Sequence, residues 1–337
     1  MNDAIDIVIP WVDGSDEKWK AQKEEAFHAA KADMASDSSI RFESWGNLRY
    51  WFRAVEKFMP WFNRIVFVTW GHLPSFLNTR NPRLKIVKHS DYIPEKYLPT
   101  FNSNTIEMNY HRIADLEENF ILFNDDFFPL QPIEETYFFK NNRVCDEAVE
   151  GVVVPVKEDD STLMTRYVQI NNLSIINKYF NKREVQKKNH DKWYCEDYGE
   201  LLERTISMSY WDNFMGIRDP HLPSALKKST LARLWDLEYE ALDRASRNRF
   251  RHHNDISQWL IRYWQLCEGD FEPRRTQGKF YVVDIKNCND IAQVIRKQSQ
   301  KMIGINENCT EEEFRTIREK INRAFEEILP EKSSFEL

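Results

Sequence analysis

Two adjacent carboxylates, Asp125 and Asp126, are the residues of this sequence best placed to do chemistry. The apolar run at residues 120–123 leads into them and predicts a buried strand that ends at the edge of a sheet. Neighbouring carboxylates are costly to desolvate unless a cation or a donor meets them. Divalent ions such as Mg²⁺ bind carboxylate oxygens and keep waters and substrate phosphates as further ligands. The alternative is a turn in which Asn124 and the aspartates only cap the strand. The tripeptide alone does not decide between the two.

Three further apolar runs predict strands around the carboxylates, at residues 5–9, 65–69 and 84–87. Helical segments separate these runs, which predicts an α/β fold with a mostly parallel, Rossmann-like sheet covered by helices on both faces. In such sheets ligands bind outside the carboxyl ends of the strands. Four polar loops follow strand ends here: residues 11–16, 70–72, 89–91 and 124–126. Their coincidence on one edge favours a functional site over a capped turn.

The remaining elements are predicted from periodicity and capping signals. The apolar faces of two helices are Leu48, Phe52, Val55 and Met59 in one, and Ile106, Tyr110, Ile113 and Leu116 in the other. Other helices are expected at 17–32, 74–77, 224–244, 250–264 and 290–300, and strands at 152–156, 280–285 and 303–308. Thr310 and Glu313 form a capping box that opens a last helix. Residues 36–39 indicate a linker, and residues 181–191 a solvated charged loop or helix.

Composition argues against several classes of protein. The 337 residues are 42% hydrophobic and 30% charged, which is typical of a globular rather than a disordered chain. The net charge of −7 argues against broad nucleic-acid binding. With only 9 glycines the chain contains neither a G-x-G-x-x-G loop nor a P-loop, so dinucleotide oxidoreductases and P-loop NTPases lose their main support.

The cysteines and the N-terminal residues indicate the cellular compartment in which we expect the protein. The five cysteines are far apart and form no C-x-x-C pair, so we expect reduced thiols in a cytoplasm rather than disulfides or a zinc site. The first residues contain no basic region and no long apolar run, so no signal peptide and no transmembrane segment are expected. Peripheral membrane association stays open, and the oligomeric state is not predicted.

Two residues beyond the carboxylates are candidates for catalysis. His221 lies between two prolines that fix its direction, which makes it a candidate general base, although a lone histidine in a turn is usually only surface. Arg251 stands at the predicted start of a helix, where the helix dipole and a guanidinium both favour an anion such as phosphate. The alternative for Arg251 is a solvated basic turn capped by Asp255.

Glu107 and His111 are four residues apart and share a helix face. A structural role is equally consistent with the sequence, because Asn104 fits an N-cap and Glu107 would then be its capping-box partner. The acidic residues, the arginine and the histidine together suit phosphoryl or glycosyl transfer from a nucleotide-sugar. The residues alone do not choose which bond breaks.

Four blocks of the chain, in order and spacing, resemble the Stealth family of sugar-1-phosphate transferases, which includes capsule and exopolysaccharide polymerases. The blocks include Ile7-Val-Ile-Pro-Trp-Val-Asp-Gly-Ser-Asp16, a stretch from Arg41 to about Leu130 with Asn124-Asp-Asp126, a stretch from His221-Leu-Pro223 to Asp255, and Ile305-Asn-Glu-Asn308 with the ending Pro330-Glu-Lys-Ser-Ser-Phe-Glu336. The resemblance implies that an acceptor hydroxyl attacks the sugar-bearing phosphorus of a UDP-sugar. UMP then leaves and a phosphodiester forms, with Mg²⁺ (or Mn²⁺) assisting.

The resemblance also implies roles for individual residues. His221, Arg251 and Asp16 would be catalytic, and Asp125 and Asp126 would hold the metal. The donor pocket would be formed by Trp11, Asp13, Gly14, Ser15, Arg49, Asn102, Ser103, Glu107, His111, Arg112 and Asn306. Two positions depart from the family's pattern. The related lysosomal-enzyme N-acetylglucosamine-1-phosphotransferases of animals carry asparagine where Asp13 stands, and the family usually carries aspartate where Glu307 stands.

The implied organisation is a GT-A-like fold in three segments. Residues 1–139 would form the nucleotide-sugar-binding half, and 219–337 would complete the same domain. Residues 140–218 match no block of the family and are expected to form a helical insertion that shapes acceptor choice. Two other functions are weighed against transfer of a sugar-1-phosphate to a saccharide acceptor. One is a metal-dependent GT-A-type glycosyltransferase, which would break the sugar C1–O bond and release UDP. The other is an inert carbohydrate-binding protein, favoured only by the 14% aromatic content.

Overall fold

The computed structural model describes residues 4–30, 45–155 and 160–337. The predicted linker at 36–39 lies outside these ranges. Within them the strands are β1 (Ile5–Trp11), β2 (Ile65–Thr69), β3 (Leu84–Lys88), β4 (Asn119–Leu122), β5 (Phe127–Pro129), β6 (Phe139–Lys140), β7 (Arg143–Asp146), β8 (Ser224–Lys227), β9 (Phe271–Pro273), β10 (Gly278–Val283) and β11 (Met302–Glu307).

The helices alternate with the strands along the first half of the chain and dominate the middle. They are α1 (Glu17–Ala30), α2 (Leu48–Phe58), α3 (His89–Tyr92), α4 (Ser103–Glu107), α5 (Asp160–Tyr179), α6 (Lys182–Lys188), α7 (His190–Trp193), α8 (Leu202–Ser207), α9 (Lys228–Leu237), α10 (Tyr239–Ser246), α11 (Trp259–Glu268), α12 (Cys288–Arg296) and α13 (Glu311–Ile328). Nowhere in the described ranges does a helix combine the length and the apolar character needed to cross a bilayer.

The central sheet has the strand order β3-β2-β1-β4-β8 within the described chain. β1 to β4 are mutually parallel, and β8 pairs antiparallel with β4 at the edge. β1, β2 and β4 are buried along nearly their whole length, as expected for strands covered on both faces. The predicted α/β fold with a mostly parallel sheet is therefore confirmed.

Two smaller sheets extend the fold. In the first, β10 and β11 are parallel and β5 pairs antiparallel with β11. In the second, β7 lies between β6 and β9. Because β5 follows β4 after a four-residue turn, the first small sheet begins directly beside the carboxyl end of β4.

The apolar face of α2 is buried as its periodicity predicts. Phe52 and Val55 are fully enclosed, and the ring of Trp51 packs edge-on against Phe123, the residue that follows β4. The core of the sheet and the loop bearing the carboxylates are thus packed together. All five cysteines lie in described parts of the chain and are free.

The predicted long helix at 224–244 is wrong in its first turn. Residues 224–227 form β8, because the open edge of β4 supplies backbone partners from Ser224 opposite Leu122 to Lys227 opposite Asn119. Pairing of this kind overrides local helical propensity. The rest of the segment is two helices, α9 and α10, which are separated by the non-helical backbone of Glu238.

Other boundaries also differ from prediction. Residues 74–77 form a hydrogen-bonded turn, not a helix. The helix predicted through Leu116 ends at Glu107 and is followed by a 3₁₀ turn at Tyr110–Arg112. The side-chain Nδ2 of Asn109 donates to Thr105 O (2.8 Å) and competes with the helical pattern. Residues 151–155 lie in no regular strand, although Gly151 and Val153 donate backbone hydrogen bonds to residues 215–216.

Candidate active site

The carboxylates lie in a turn that is held on two sides. The N–H of Phe123 donates to Val8 O (2.9 Å), which continues the pairing of β4 with β1. The N–H of Phe127 donates to Asn124 O (3.2 Å) and closes the turn. The N–H of Ile305 in β11 donates to Asp126 O (3.0 Å). The position of Asp125 and Asp126 is therefore fixed by both sheets.

No cationic side chain of the described ranges shifts the pKa of either carboxylate. Oδ1 of Asp126 is shut off from solvent and has no hydrogen-bond partner in the described part of the chain. Burial first, and then the charge of Asp125, raise the pKa of Asp126 well above its ordinary value. Asp125 reaches solvent, but the protein around it removes enough water to raise its pKa to about 6. The site would be stabilised by a cation.

Glu307, at the end of β11, adds a third negative charge that raises the pKa of both aspartates. Its Oε2 accepts a hydrogen bond from Trp45 Nε1 (3.0 Å). In the sequence, Glu307 stands out only as a departure from the pattern of the family that the chain resembles. Nothing in the local sequence places it beside Asp126, because the proximity arises from the pairing of β11 with β5.

The donor set fits a hard divalent ion only in part. Asp125 and Asp126 supply carboxylate oxygens, and the unpaired Oδ1 of Asp126 is suited to a ligand role. Among residues 4–30, 45–155 and 160–337, no group of three or more His, Cys, Asp or Glu side chains is arranged to hold a metal. A bound Mg²⁺ or Mn²⁺ would therefore take its remaining ligands from substrate phosphate and water.

His221 lies beside the carboxylate turn. Its ring packs edge-on against Phe127 (5.3 Å between ring centres) and against Phe280 (4.4 Å). It lines a small cavity together with Asn124 and Asp219. Burial, assisted by the charge of Arg251, lowers the pKa of His221 to about 4. The imidazole is therefore neutral near pH 7 and is able to accept a proton.

Arg251 lies close to His221 and Glu107, whose pKa values its positive charge lowers. Its Nη2 donates to Ser103 Oγ (3.3 Å) at the first residue of α4, and its side chain reaches solvent. At Glu107 the effect of burial is larger than the effect of Arg251, so the pKa of this carboxyl rises to about 7. The structure thus brings together His221, Arg251, Ser103 and Glu107 from three separate segments of the chain.

The helix predicted to begin near Arg251 begins at Trp259, so the dipole of that helix does not act at the arginine. The intervening loop is held by the buried carboxylate of Asp255. Its oxygens accept hydrogen bonds from the backbone N–H of His252 (3.0 Å) and from the side-chain amides of Asn102 (2.9 Å) and Asn248 (2.7 Å). These local hydrogen bonds compete with a helical turn.

Asn102 therefore lies in the interior, where it caps α4 by accepting the N–H of Asn104 (3.1 Å). Asn104 is not the N-cap, so the capping-box alternative for Glu107 is wrong; Glu107 is the last residue of α4.

The loop after β1 is a compact turn. Oδ1 of Asp13 accepts the N–H (2.9 Å) and the hydroxyl (2.6 Å) of Ser15, across Gly14. Asp16 caps α1 by accepting the N–H of Trp19 (2.8 Å). His72 ties this turn to the loop after β2, because its Nε2 accepts the N–H of Asp13 (2.7 Å).

The remaining ring nitrogen of His72, Nδ1, faces Asp16 Oδ2 at 3.7 Å, and the imidazole packs edge-on against Trp11. The sequence pointed to the loop at 70–72 but not to His72 as a site residue.

The remaining predicted donor-pocket residues are distributed over several elements. His111 and Arg112 pack against the ring of Trp235. Burial and neighbouring cations lower the pKa of His111 to about 3. Arg49 is exposed on α2 and lies over the ring of Phe76. Asn306 is exposed on β11 one residue before Glu307. The predicted roles of these residues stay predictions.

Comparison with known proteins identifies the family to which the chain belongs. The family model of Stealth protein CR1, conserved region 1, matches residues 3–26. The family model of Stealth protein CR2, conserved region 2, matches residues 41–146. A capsular polysaccharide phosphotransferase WcwK of Streptococcus pneumoniae is 38% identical over 333 residues, which is 98% of each chain. The exopolysaccharide phosphotransferase cps2G of Lactiplantibacillus plantarum is 36% identical, with 98% of this chain and 96% of the relative covered.

A receptor polysaccharide phosphotransferase WefC of Streptococcus gordonii is 32% identical over the full length of both chains. The solved apo structure of the bifunctional glycosyltransferase WbbM matches 98% of this chain and 50% of its own, with 10% identity and a TM-score of 0.35, too low to support an argument. The full-length relatives and the two conserved regions are decisive. The chain belongs to the Stealth family.

Proposed function

We propose that the protein transfers a sugar-1-phosphate from a UDP-sugar to a hydroxyl of a saccharide acceptor in capsule or exopolysaccharide synthesis. The observation that supports this is the meeting of Asp125 and Asp126 with His221 and Arg251 at the carboxyl edge of the central sheet. Full-length relatives named as polysaccharide phosphotransferases support the same reaction class.

In the proposed step the acceptor oxygen forms a bond to the sugar-bearing phosphorus, and the bond from that phosphorus to the bridging oxygen breaks. UMP leaves with the bonding electrons. His221 accepts the acceptor's proton, which a neutral imidazole can do. Arg251 reaches solvent beside it and would hold a phosphate oxygen through its planar guanidinium. Asp125 and Asp126 would bind Mg²⁺ or Mn²⁺, which supplies positive charge to the pyrophosphate when bound.

Product analysis tests the proposal. The purified protein is incubated with acceptor saccharide and a panel of UDP-hexoses and UDP-N-acetylhexosamines, and the nucleotide product is identified by chromatography. UMP together with a phosphodiester-linked product is expected. UDP with a glycosidic product would instead establish a metal-dependent glycosyltransferase, and absence of any donor turnover would favour a carbohydrate-binding protein.

Metal dependence is tested in the same assay. EDTA should abolish turnover and added Mg²⁺ or Mn²⁺ should restore it. Asp126→Ala should remove most turnover without unfolding the protein, since the residue lies at the edge of the sheet. Full activity in EDTA would contradict the metal assignment. A cytoplasmic location and peripheral membrane contact stay predictions.

A further inference from the structure

Arg262, in the buried helix α11, uses all five of its N–H donors. Its side chain is 2% exposed. Nε donates to Asp146 Oδ2 (2.7 Å), and Nη2 donates to Asp146 Oδ1 (2.9 Å) and to Glu147 O (3.0 Å). Nη1 donates to Arg218 O (2.8 Å) and to Asp219 Oδ1 (3.2 Å). A lysine has three donors and no planar fork, so no other residue can make this set of bonds.

The two hydrogen bonds from Nη1 of Arg262 are accepted by Arg218 and Asp219, the residues that precede Pro220 and His221. Asp219 is held a second time, because the hydroxyl of Tyr263, the next residue of α11, donates to its Oδ2. On the other side of His221, Leu222 is buried and Ser224 begins β8 opposite Leu122. His221 is therefore the central residue of a turn whose two ends are both held in place by neighbouring elements.

The backbone of His221 shows why such anchoring is needed. Its φ is +49°, in the left-handed region that residues other than glycine rarely adopt. Strained residues of this kind persist only where the surrounding structure over-determines them. A buried ion-pair network is an inefficient source of net stability, since apolar residues of similar volume often perform as well. Conformational specificity at His221 is the better explanation for the network.

We propose that Arg262 and Asp219 are positioning residues that hold the His221 imidazole in its reactive orientation. The proposal rests on the proposed function, in which His221 accepts the acceptor's proton. Arg262 and Asp219 line the same small cavity as His221, and in the proposal they act through His221. They fix the backbone from which the imidazole projects, between the rings of Phe127 and Phe280.

The principal test is Asp219→Asn, which preserves volume but replaces one accepting oxygen with an NH₂ group, so that either Arg262 or Tyr263 loses its acceptor. We expect kcat to fall by about 10²-fold, the effect that a misplacement of about 1 Å can have. The Kd of the donor should be unchanged, because Arg251 and the carboxylates remain. Arg262→Lys should behave like Asp219→Asn, and Tyr263→Phe provides a milder variant if either fails to fold.

The control is Lys182→Met in the helical insertion. Lys182 forms a comparably buried ion pair with Glu150 (2.8 Å), and the two side chains are 1% and 0% exposed. This variant should lose stability without a specific loss of kcat when assayed below its melting temperature. If kcat falls equally in Lys182→Met and Asp219→Asn, the loss reflects stability alone and the proposal is overturned.

A double-mutant cycle separates the proposal from the function on which it rests. In a His221→Ala background, Asp219→Asn should cause little further loss of kcat, since residues that act as a unit are non-additive. A further full loss would exclude positioning of His221. If His221→Ala alone retains wild-type turnover, the proposed base is wrong.

The second readout does not depend on activity. The side-chain NMR signal of His221 in ¹⁵N-histidine-labelled protein, assigned by its absence in His221→Ala, should shift or broaden in Asp219→Asn and stay in place in Lys182→Met. An unchanged signal in Asp219→Asn overturns the positioning role whatever the fate of the base.

Discussion

At residue 221 the backbone and the side chain have opposing requirements. Glycine adopts a φ of +49° without strain, whereas for a residue with a Cβ this conformation raises the free energy of the native state by about 1–2 kcal/mol. We therefore expect His221→Gly to be more stable than His221→Ala by about 1 kcal/mol in urea unfolding. The same pair of substitutions at Arg323, on the exposed side of α13, should give the opposite order. Equal stability of the two variants at 221 would show that the turn relaxes without strain.

The carboxyl of Glu107 makes stability depend on pH. Burial raises its pKa to about 7 in the native state, above the ordinary value of 4.5, so the native state binds more protons than the unfolded state between these values. The contribution of Glu107 is fully present below about pH 4.5 and is lost as pH rises through about 7. Glu107→Gln should therefore raise the melting temperature at pH 8 but not at pH 4.5.

Exposed Glu319 on α13 provides the control, because Glu319→Gln should leave the difference between the two pH values unchanged. A gain for Glu107→Gln that is the same at both pH values would point to packing rather than to the charge.

At the scale of elements, features set by neighbouring residues were predictable from the sequence. The strand before Asp125 and the capping box of Thr310 and Glu313 are both present, since each depends on residues within a few positions. β8 was mistaken for helix because its conformation depends on the distant edge of β4. Glu307 and His72 were missed as site residues for the same reason: strand pairing and loop contacts bring them to the site, and no local pattern reports them.

The two ends of the predicted insertion at residues 140–218 meet in a close backbone contact between Gly151 and Gly216. A Cβ on Gly216 would lie 2.9 Å from Gly151 O and 3.0 Å from Gly151 C, which are backbone atoms that cannot easily move. Gly216→Ala should therefore separate the two ends of the insertion and increase proteolytic cleavage between residues 152 and 215. Gly151→Ala is the matched control, because its nearest neighbour would be Arg218 N at 4.0 Å. Equal cleavage of both variants would contradict this role of the contact.

At the scale of the whole molecule, the last residues of the chain complete the packing of its first half. Phe335 is fully buried and packs against Phe52 of α2 (5.4 Å between ring centres). Beside it, Glu336 accepts two hydrogen bonds from Arg53, at 2.8 and 2.9 Å. The N–H of Asn78 donates to Phe335 O (2.8 Å). The fold therefore depends on contacts between residues far apart in the sequence, which composition and periodicity do not report.

Phe335→Ala should therefore lower the free energy of unfolding by about 3–5 kcal/mol, the usual range for a buried phenylalanine. That is a large part of the roughly 5–15 kcal/mol available to a typical protein. Urea unfolding followed by fluorescence measures the change. Leu337→Ala is the control, since Leu337 is 64% exposed and its truncation should change stability by less than about 0.5 kcal/mol. A loss below about 1 kcal/mol for Phe335→Ala would mean that the final segment is an appendage rather than part of the core.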